Sequence, residues 1–453
     1  MKTSILRILA LVLVLALLGG CSAPVTEPAN STEPTLNGNK ISQFTIVYDA
    51  NSPDYCQRAA EYIGAQILER TGMEIPVCEA ASGTYEHEIL VGETGRSLSA
   101  RLDADTEGTQ FAILADEDHI ALEGDWFIIA AAAYYFVQTY ITGDMFQAEI
   151  PTETTVCDPI VEESKNVIFL IGDGMGPVHT RLFENMTPSY EVPYYDGEDI
   201  FYGYYLPYQG VIRTESLSGV TDSAAAATAL ACGYKTHNSY VGMDADGYPL
   251  QSLTELAAQL GKATAVMSTD KLVGATPSGF SAHAEDRDNT DRISQGQLNL
   301  MQTYGTVLDC GLEGTDSYQT HITDMLAQLE TDEDGFFIMY EEGHIDKRSH
   351  DHDLQGTFDR MVRFNQAIGI FMEYAFYNPD TLVLITADHE TGGLIPDGTG
   401  HYNYTVNGHS PADVPIFAYG QGAEVFDDYN AENNEVPKVI AALWGVTDFG
   451  DNT

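Results

Sequence analysis

The sequence NVIFLIGDGMG (residues 166–176) places a continuous apolar run directly before a turn that contains three glycines. A run without alternating polar residues is typical of a strand that is buried on both faces of a parallel sheet. Further apolar runs, separated by helical stretches, follow at 263–267, 335–339, 381–386 and 414–418. This alternation predicts an α/β fold over residues 164–453, with a doubly wound, mostly parallel sheet and helices on both of its faces.

Reactive side chains follow several of these runs, where a parallel sheet gathers the carboxyl ends of its strands. They are Asp173, Glu341, Asp388 and His389. The glycines around Asp173 do not indicate a dinucleotide site, because a carboxylate there would repel a pyrophosphate. A divalent cation reverses this conclusion, since Asp173 then becomes a ligand.

Three more residues fit the same metal hypothesis. Asp346 and His350 are four residues apart, so on a helix they share one face and could grip one ion. His409 lies shortly before the last apolar run. Each residue alone could be a helix cap or an ordinary histidine, but their combination at several strand ends favours metal binding. Oxygen and nitrogen ligands without sulfur suit zinc together with a harder ion such as magnesium.

A nucleophile candidate lies in VTDSAAAATALACG (residues 220–233). The pattern predicts a short helix that begins at Asp222 or Ser223 and ends at Gly233. Ser223 is then either a simple cap or a nucleophile, because the amides at a helix start favour an anion such as phosphate. No G-x-S-x-G motif surrounds it, so a metal ion would have to activate the serine.

Together these segments resemble the alkaline phosphatase family, in that family's order. The matching segments are 166–176, 220–229, Glu341-x4-Asp346-x3-His350, Thr386-Ala-Asp-His389 and Gly408-His409. The resemblance covers about 164–425 and implies a phosphatase that hydrolyses small phosphate monoesters. It also implies that Ser223 becomes phosphorylated during the reaction.

The resemblance further implies two zinc ions and one magnesium ion. The first zinc would activate the hydrolytic water and would be held by Asp346, His350 and His409. The second zinc would activate the nucleophile and would be held by Asp173, Asp388 and His389. The magnesium would be held by Asp173, Thr276 and Glu341.

Four other positions bear on the substrate and on the third metal. Arg287 would clamp two phosphate oxygens, although a cation among acids is more often a solvated salt bridge. Asp222 and Lys347 are matched to substrate-binding positions, and Lys347 would act through water. Gly274 departs from relatives, which commonly carry Asp or His there, so the identity of the third metal is open. Gly274 could instead be needed for a left-handed turn.

The first forty residues predict export. A basic start and an apolar run of eleven residues, too short to cross a bilayer, predict a signal peptide over 1–20. Leu18-Gly-Gly-Cys21 resembles a lipobox, so Cys21 would carry the lipid that anchors the protein to the outside of the cell membrane. Residues 21–40 have the composition of a tether. The net charge of −48 argues against nucleic-acid binding, because phosphates would be repelled.

Residues 41–150 predict a separate α+β domain, with strands and helices in the order β-α-β-β-β-α. Its sequence pattern resembles the non-catalytic N-terminal domains of some secreted glycosidases, which suggests contact with a glycan or the cell wall. Five cysteines follow Cys21, and Cys56 and Cys78 could pair. The sequence leaves open whether the chain forms a homodimer.

Two other functions compete with the phosphatase. A phosphodiesterase or sulfatase of the same superfamily is disfavoured by Arg287, which suits a terminal phosphoryl group, and by the lack of a Cys-x-Pro/Ala-x-Arg motif. A metal- or glycan-binding lipoprotein without activity would not need a serine at a helix start beside metal ligands.

Overall fold

The computed structural model describes residues 33–49, 54–102, 104, 106–190, 200–310 and 318–450. These residues divide into two units. The first extends to Ile160 and includes Met372–Asn378, and the second contains Val161–Phe371 and the chain from Pro379. The predicted signal peptide, Cys21 and residues 22–32 of the predicted tether lie outside the described residues.

The first unit contains strands β1 (Thr35–Leu36), β2 (Asn39–Lys40), β3 (Phe44–Tyr48), β4 (Val77–Glu79), β5 (His87–Val91), β6 (Phe111–Ala115), β7 (His119–Glu123), β8 (Gln147–Ala148) and β9 (Thr155–Cys157). Its helices are α1 (Asp54–Thr71) and α2 (Ile128–Tyr140). Six strands form one mixed sheet in the order β4-β3-β5-β7-β6-β9. The helices bury apolar side chains such as Ile63, Ile67 and Phe136.

The folded part of this unit begins earlier than the predicted boundary at residue 41. Strand β1 pairs with β2 and with β8, and Leu36 is fully buried. The tether prediction is therefore wrong for residues 35–40. This stretch is mostly polar, and strands of two residues are too short to give a periodic pattern. The sequence therefore gave no sign of the buried Leu36 or of the two strands.

The second unit contains strands β10 (Asn166–Gly172), β11 (Tyr208–Arg213), β12 (Ala263–Ser268), β13 (Val307–Cys310), β14 (Phe336–Glu342), β15 (Thr381–Thr386), β16 (Glu390–Thr391), β17 (Ile395–Pro396), β18 (Tyr402–Asn403), β19 (His409–Ser410), β20 (Val414–Tyr419) and β21 (Tyr429–Glu432). Its helices are α3 (Ser223–Cys232), α4 (Leu253–Gln259), α5 (Ala275–Gly279), α6 (Thr290–Tyr304), α7 (Tyr318–Leu329), α8 (His344–His350), α9 (Leu354–Tyr377) and α10 (Val436–Leu443). The end of α9, from Met372, is counted with the first unit.

Eight of these strands form one sheet in the order β13-β12-β14-β10-β15-β20-β11-β21. All of them run in one direction except β20, which is antiparallel to both of its neighbours. The predicted α/β class with a mostly parallel sheet is confirmed. Every residue of the central strands β10, β14 and β15 is buried, as the unbroken apolar runs indicate.

The pairing register brings the reactive strand ends to one edge. In the β10–β14 pair, Gly172 lies opposite Glu342, and in the β10–β15 pair, Ile171 lies opposite Thr386. Strand β14 is longer than the predicted run, because its pairing with β10 continues through Glu341 and Glu342. The residues that follow β10 and β15 therefore emerge beside the last residues of β14.

Five cysteines of the described chain are free, so Cys56 and Cys78 are not joined. Among the described residues, no helix is long and apolar enough to cross a membrane.

Candidate metal centre

Asp173 follows the last residue of β10 and is buried. The next residue, Gly174, has a φ of +80°, and a Cβ on it would lie 2.8 Å from Cα of Asp346. Only glycine allows both this backbone conformation and this close approach. The glycine-rich turn therefore lets the segment after β10 touch helix α8, which carries another acidic candidate.

Asp388 and His389 follow β15 and are fully buried. The backbone N–H groups of Gly174 and His389 donate to Oδ1 of Asp388 at 3.0 and 2.9 Å. The other oxygen, Oδ2, is buried without a hydrogen-bond partner in the described structure, and it lies 3.2 Å from Nε2 of His389. One carboxylate oxygen is thus fixed by the backbone and the other is left to bind something else.

Asp346 and His350 lie one helical turn apart on α8, with Nε2 of His350 3.3 Å from Oδ1 of Asp346. The strand pair β16–β19 brings His409 opposite Thr391. Nε2 of His409 lies 3.6 Å from the same Asp346 oxygen and 3.3 Å from Nε2 of His350. The helix and the small strand pair therefore bring these three side chains together.

Both histidines in this group are oriented by backbone carbonyls. Nδ1 of His350 donates to the carbonyl of Asn407 at 2.9 Å, and Nδ1 of His409 donates to that of Thr221 at 2.7 Å. A carbonyl can only accept, so Nδ1 carries a proton in both rings, and Nε2 is the nitrogen that faces Asp346. Such outer hydrogen bonds commonly orient imidazoles that bind metals.

The donors form two adjoining sets. Ligand atoms of Asp173, Asp388 and His389 all lie within 4.8 Å of one another, as do those of Asp346, His389 and His409. The side chain of Thr391 links the sets, because its hydroxyl donates to Oδ1 of Asp346 at 2.5 Å and lies 3.2 Å from Nδ1 of His389. The rings of His389 and His409 stack with centroids 3.5 Å apart.

Ser223 is the first residue of helix α3, and Asp222 is its N-cap. Oδ1 of Asp222 accepts the N–H of Ala225 at 3.0 Å, and Gly233 ends the helix in a left-handed conformation. The hydroxyl of Ser223 lies 3.1 Å from Nε2 of His389, which belongs to both donor sets. The helix start thus points its nucleophile candidate at the carboxylate and imidazole cluster.

Arg287 lies beside this serine loop. Its Nη1 is 3.2 Å from Oδ2 of Asp222, and its backbone N–H donates to the carbonyl of Ser239 at 2.8 Å. The guanidinium is about one third exposed, with a relative side-chain accessibility of 34%. Arg287 is therefore tied to the nucleophile loop while part of its charge remains open to solvent.

A third group lies at the ends of β12 and β14. The hydroxyl of Ser268 donates to the carboxylate of Glu341. Burial raises the pKa of Glu341 to about 7, and the hydroxyls of Ser268 and Thr276 oppose that rise. The charge of Glu341 also helps to raise the pKa of Asp173.

Gly274 is not in a left-handed turn, since its φ is −60° and its ψ is 158°. The left-handed explanation for this glycine is therefore wrong. A Cβ at this position would instead lie 2.9 Å from the backbone oxygen of Lys271, so a tight backbone approach disfavours any side chain here. This contact follows from the turn ahead of α5 and leaves no trace in the sequence.

The charges of the centre favour a cation. Burial, together with the charges of Asp388 and Asp346, raises the pKa of Asp173 well above its usual range. Burial raises the pKa of Asp388 to about 6 and lowers the pKa of His389 to about 4. The neutral imidazole is the form that ligates metals, and a bound cation would relieve the repulsion among the crowded carboxylates.

The residues fit divalent metal ions. Oδ1 of Asp173 and Oδ2 of Asp388 are both buried and have no hydrogen-bond partner in the described part of the chain. An unsatisfied buried carboxylate oxygen is costly unless a cation or a donor reaches it. The donor atoms of the sets are imidazole nitrogens and carboxylate oxygens, which suit zinc, manganese or magnesium rather than a sulfur-seeking ion.

The structure thus gathers all eight predicted metal ligands and Ser223 around one edge of the sheet. Three contributing residues were not predicted from the sequence: Ser268, Asp270 and Thr391. Asp270 pairs with Lys347 at 2.6 Å. Both Asp270 and Thr391 follow shortly after the end of an apolar run, which is the signal that could have identified them.

Comparison with known proteins places this centre in a family. A model of the alkaline phosphatase family matches residues 164–309 and 309–406. Alkaline phosphatase 4 of Bacillus subtilis is 30% identical over 338 residues, which cover 62% of this chain and 71% of that protein. Alkaline phosphatase 3 of the same organism is 29% identical over 299 residues, covering 54% of this chain and 64% of that protein.

Solved structures agree. The alkaline phosphatase of the Antarctic bacterium TAB5 superposes with a TM-score of 0.54 and 28% identity, and the match covers 62% of this chain and 98% of that protein. A variant of that enzyme has been solved with Mg bound in its M3 site. The alkaline phosphatase of Thermus thermophilus, at 17% identity and a TM-score of 0.53, shares the fold.

The bridging hydroxyl of Thr391 generates a prediction. We expect Thr391→Val to weaken metal binding by about ten- to a hundred-fold, because outer hydrogen bonds orient the ligands of both sets. Thr391→Ser, which keeps the hydroxyl, should bind metal like the wild type. Metal content measured after dialysis against graded chelator tests this, with Thr399→Val on an exposed turn as the control. Equal metal retention in all four proteins would contradict the bridging role.

Proposed function

The chain belongs to the alkaline phosphatase family, whose members are metal-dependent phosphate monoester hydrolases, and we propose that it hydrolyses monoesters through a phosphoserine formed on Ser223. One observation carries the proposal above all. The Ser223 hydroxyl stands at a helix N-terminus, 3.1 Å from the imidazole that two donor sets share. A nucleophile, an anion-binding helix start and a metal centre therefore meet at one point.

We assign two zinc ions and one magnesium ion to the centre. The first zinc set is Asp346, His350 and His409, and the second is Asp173, Asp388 and His389. The magnesium set is Asp173, Thr276 and Glu341. When bound, such ions stabilise developing negative charge and lower the pKa of a coordinated hydroxyl or water.

The protein's own groups position the substrate and the serine. The backbone amides at the start of α3 favour a phosphoryl group beside Ser223, because their N–H groups and the helix dipole attract anions. Asp222 fixes this helix start through Ala225 and also holds Arg287. The exposed part of the Arg287 guanidinium would then bind phosphate oxygens, and Lys347 would contribute through water.

The reaction consists of two displacements. In the first, Oγ of Ser223 forms a bond to phosphorus as the bond from phosphorus to the alcohol oxygen breaks, and the serine proton ends on the departing alcohol. In the second, water attacks phosphorus, the bond from phosphorus to Oγ breaks, and one water proton returns to Ser223. The products are the alcohol and inorganic phosphate.

Removing the nucleophile tests the covalent route. We expect Ser223→Ala to lower the turnover of a small monoester by at least about a thousandfold, as when other covalent nucleophiles are removed. Its metal content should stay unchanged, because the carboxylates and imidazoles remain. An acid quench should trap phosphate on the wild type but not on the variant. The substitution Ser97→Ala, at an exposed position, is the control. Normal turnover by Ser223→Ala would contradict the covalent mechanism.

Removing the guanidinium tests the assigned phosphate contact. We expect Arg287→Ala to weaken inhibition by inorganic phosphate by about ten- to a hundred-fold, since one charge-assisted hydrogen bond contributes roughly 1.5–3 kcal/mol. Turnover of monoesters should remain measurable, whereas diesters and sulfate esters should stay poor substrates. The matched control is the exposed Arg292→Ala on α6. Unchanged phosphate inhibition would show that Arg287 only forms a salt bridge with Asp222.

We also propose export and lipid anchoring at Cys21, on the strength of the lipobox-like sequence alone. The full-length protein should then fractionate with membranes, and Cys21→Ser should move it into the aqueous phase, because a lipid chain adds buried CH₂ groups. The exposed Cys310→Ser is the control and should not change the distribution. A membrane-bound Cys21→Ser protein would contradict the anchor.

A further inference from the structure

Asp270 lies at the same sheet edge as the metal centre. It comes two residues after β12, which is the neighbour of β14 in the sheet. In that pair Ser268 lies opposite Glu341, and the backbone N–H of Thr269 donates to the carbonyl of Glu341 at 3.0 Å. Asp270 therefore leaves the sheet directly beside the acid assigned to the third metal.

Ser268 connects the two acids. Its Oγ accepts the backbone N–H of Asp270 at 3.0 Å and donates its own proton to the carboxylate of Glu341. A Cβ built on Gly343 would lie 3.2 Å from Cβ of Asp270 and 3.4 Å from Oε1 of Glu341. The side chains of Asp270 and Glu341 thus pack against the same side of Gly343.

The space next to Gly274 is also occupied by Asp270. A Cβ on Gly274 would lie 3.6 Å from Oδ2 of Asp270, which is ordinary van der Waals contact. The same Cβ would approach the carbonyl of Lys271 to 2.9 Å. The carboxylate that residue 274 does not supply is therefore provided at this location by a residue four positions earlier.

Lys347 fixes this carboxylate. Its Nζ lies 2.6 Å from Oδ2 of Asp270 and comes from helix α8, next to Asp346. The acid side of the pair is the more buried one, with 23% side-chain accessibility against 46% for the lysine. The carboxylate is held in place through Oδ2, while Oδ1 lies 4.0 Å from Nε2 of His344 and can still accept hydrogen bonds.

We propose that Asp270 is a positioning residue for the third metal, an outer acceptor that replaces the missing side chain at Gly274 and is held by Lys347. This inference rests on the proposed function, because it takes the magnesium set from it. Magnesium dehydrates reluctantly and keeps several waters, so a nearby carboxylate that accepts hydrogen bonds from them raises its affinity. Asp270 does not touch the substrate in this role.

Direct magnesium binding tests the proposal without substrate. Protein loaded with two equivalents of zinc is titrated with magnesium chloride in a calorimeter, for the wild type, Asp270→Asn and Lys347→Gln. We expect the dissociation constant for magnesium to rise by about ten- to a hundred-fold in Asp270→Asn, with zinc content unchanged. Lys347→Gln should give a smaller rise in this dissociation constant. In the double variant, the loss of magnesium-binding free energy should be smaller than the sum of the two single losses, because the two residues act as one pair.

A matched lysine–carboxylate pair gives the control. Lys438 and Glu435, near the start of α10, lie 2.9 Å apart, and Glu435→Gln should leave magnesium affinity unchanged. Wild-type affinity in Asp270→Asn, with an unaltered melting temperature, would overturn the proposal, as would a wild type that binds no magnesium. If Asp270→Asn does not fold, unchanged magnesium affinity in the more exposed Lys347→Gln would overturn it. Failure of monoester hydrolysis with magnesium affinity still dependent on Asp270 would instead count against the proposed function alone.

Discussion

The repulsion among buried carboxylates at one edge of the sheet governs the catalytic unit. Asp173, Glu341 and Asp388 are all buried and stand within electrostatic reach of one another, in a chain whose net charge is already −48. Buried like charges are tolerated only when protons or cations compensate them. This edge of the sheet therefore favours bound cations, and divalent metal ions would supply a charge density that a few side chains cannot.

The scaffold makes this crowding possible by fixing the strands that carry the acids. Asn166, at the start of β10, accepts from Phe336 N–H at 3.3 Å and donates to Asp380 and Thr381 at 3.2 Å each. One buried amide thus ties β10 to both of its neighbours. At the far end of the same strand, Gly174 permits the contact with α8. The hydrogen bonds of Asn166 fix the start of β10 against both neighbouring strands, and the tight packing of Gly174 against Asp346 fixes the segment after it. Asp173 therefore has little freedom to move away from its neighbours.

The sequence predicted the parallel sheet, because unbroken apolar runs are local signals, and seven of the eight candidate ligands were singled out by their positions near these runs or by helical spacing. Thr276 was identified only through the resemblance to the family. The sequence could not predict the edge strands β13 and β21, which are short and partly exposed. It also missed Asp270 and Thr391. The contribution of each depends on a contact across the sheet or between strands, and a single carboxylate or hydroxyl after a strand has no distinctive spacing. The error at Gly274 has a different origin, since its constraint is the carbonyl of Lys271 in the same turn rather than its own dihedral angle.

The hydroxyl of Thr391 joins the two donor sets, because it contacts Asp346 in one and His389 in the other. Occupying one set should therefore pre-order the other, and by thermodynamic reciprocity the second ion helps to retain the first by the same factor. Loading would then be cooperative, with few molecules carrying a single ion in these sets. When metal is scarce, the number of fully loaded, active molecules would then fall, while each molecule that remains loaded would keep its full activity.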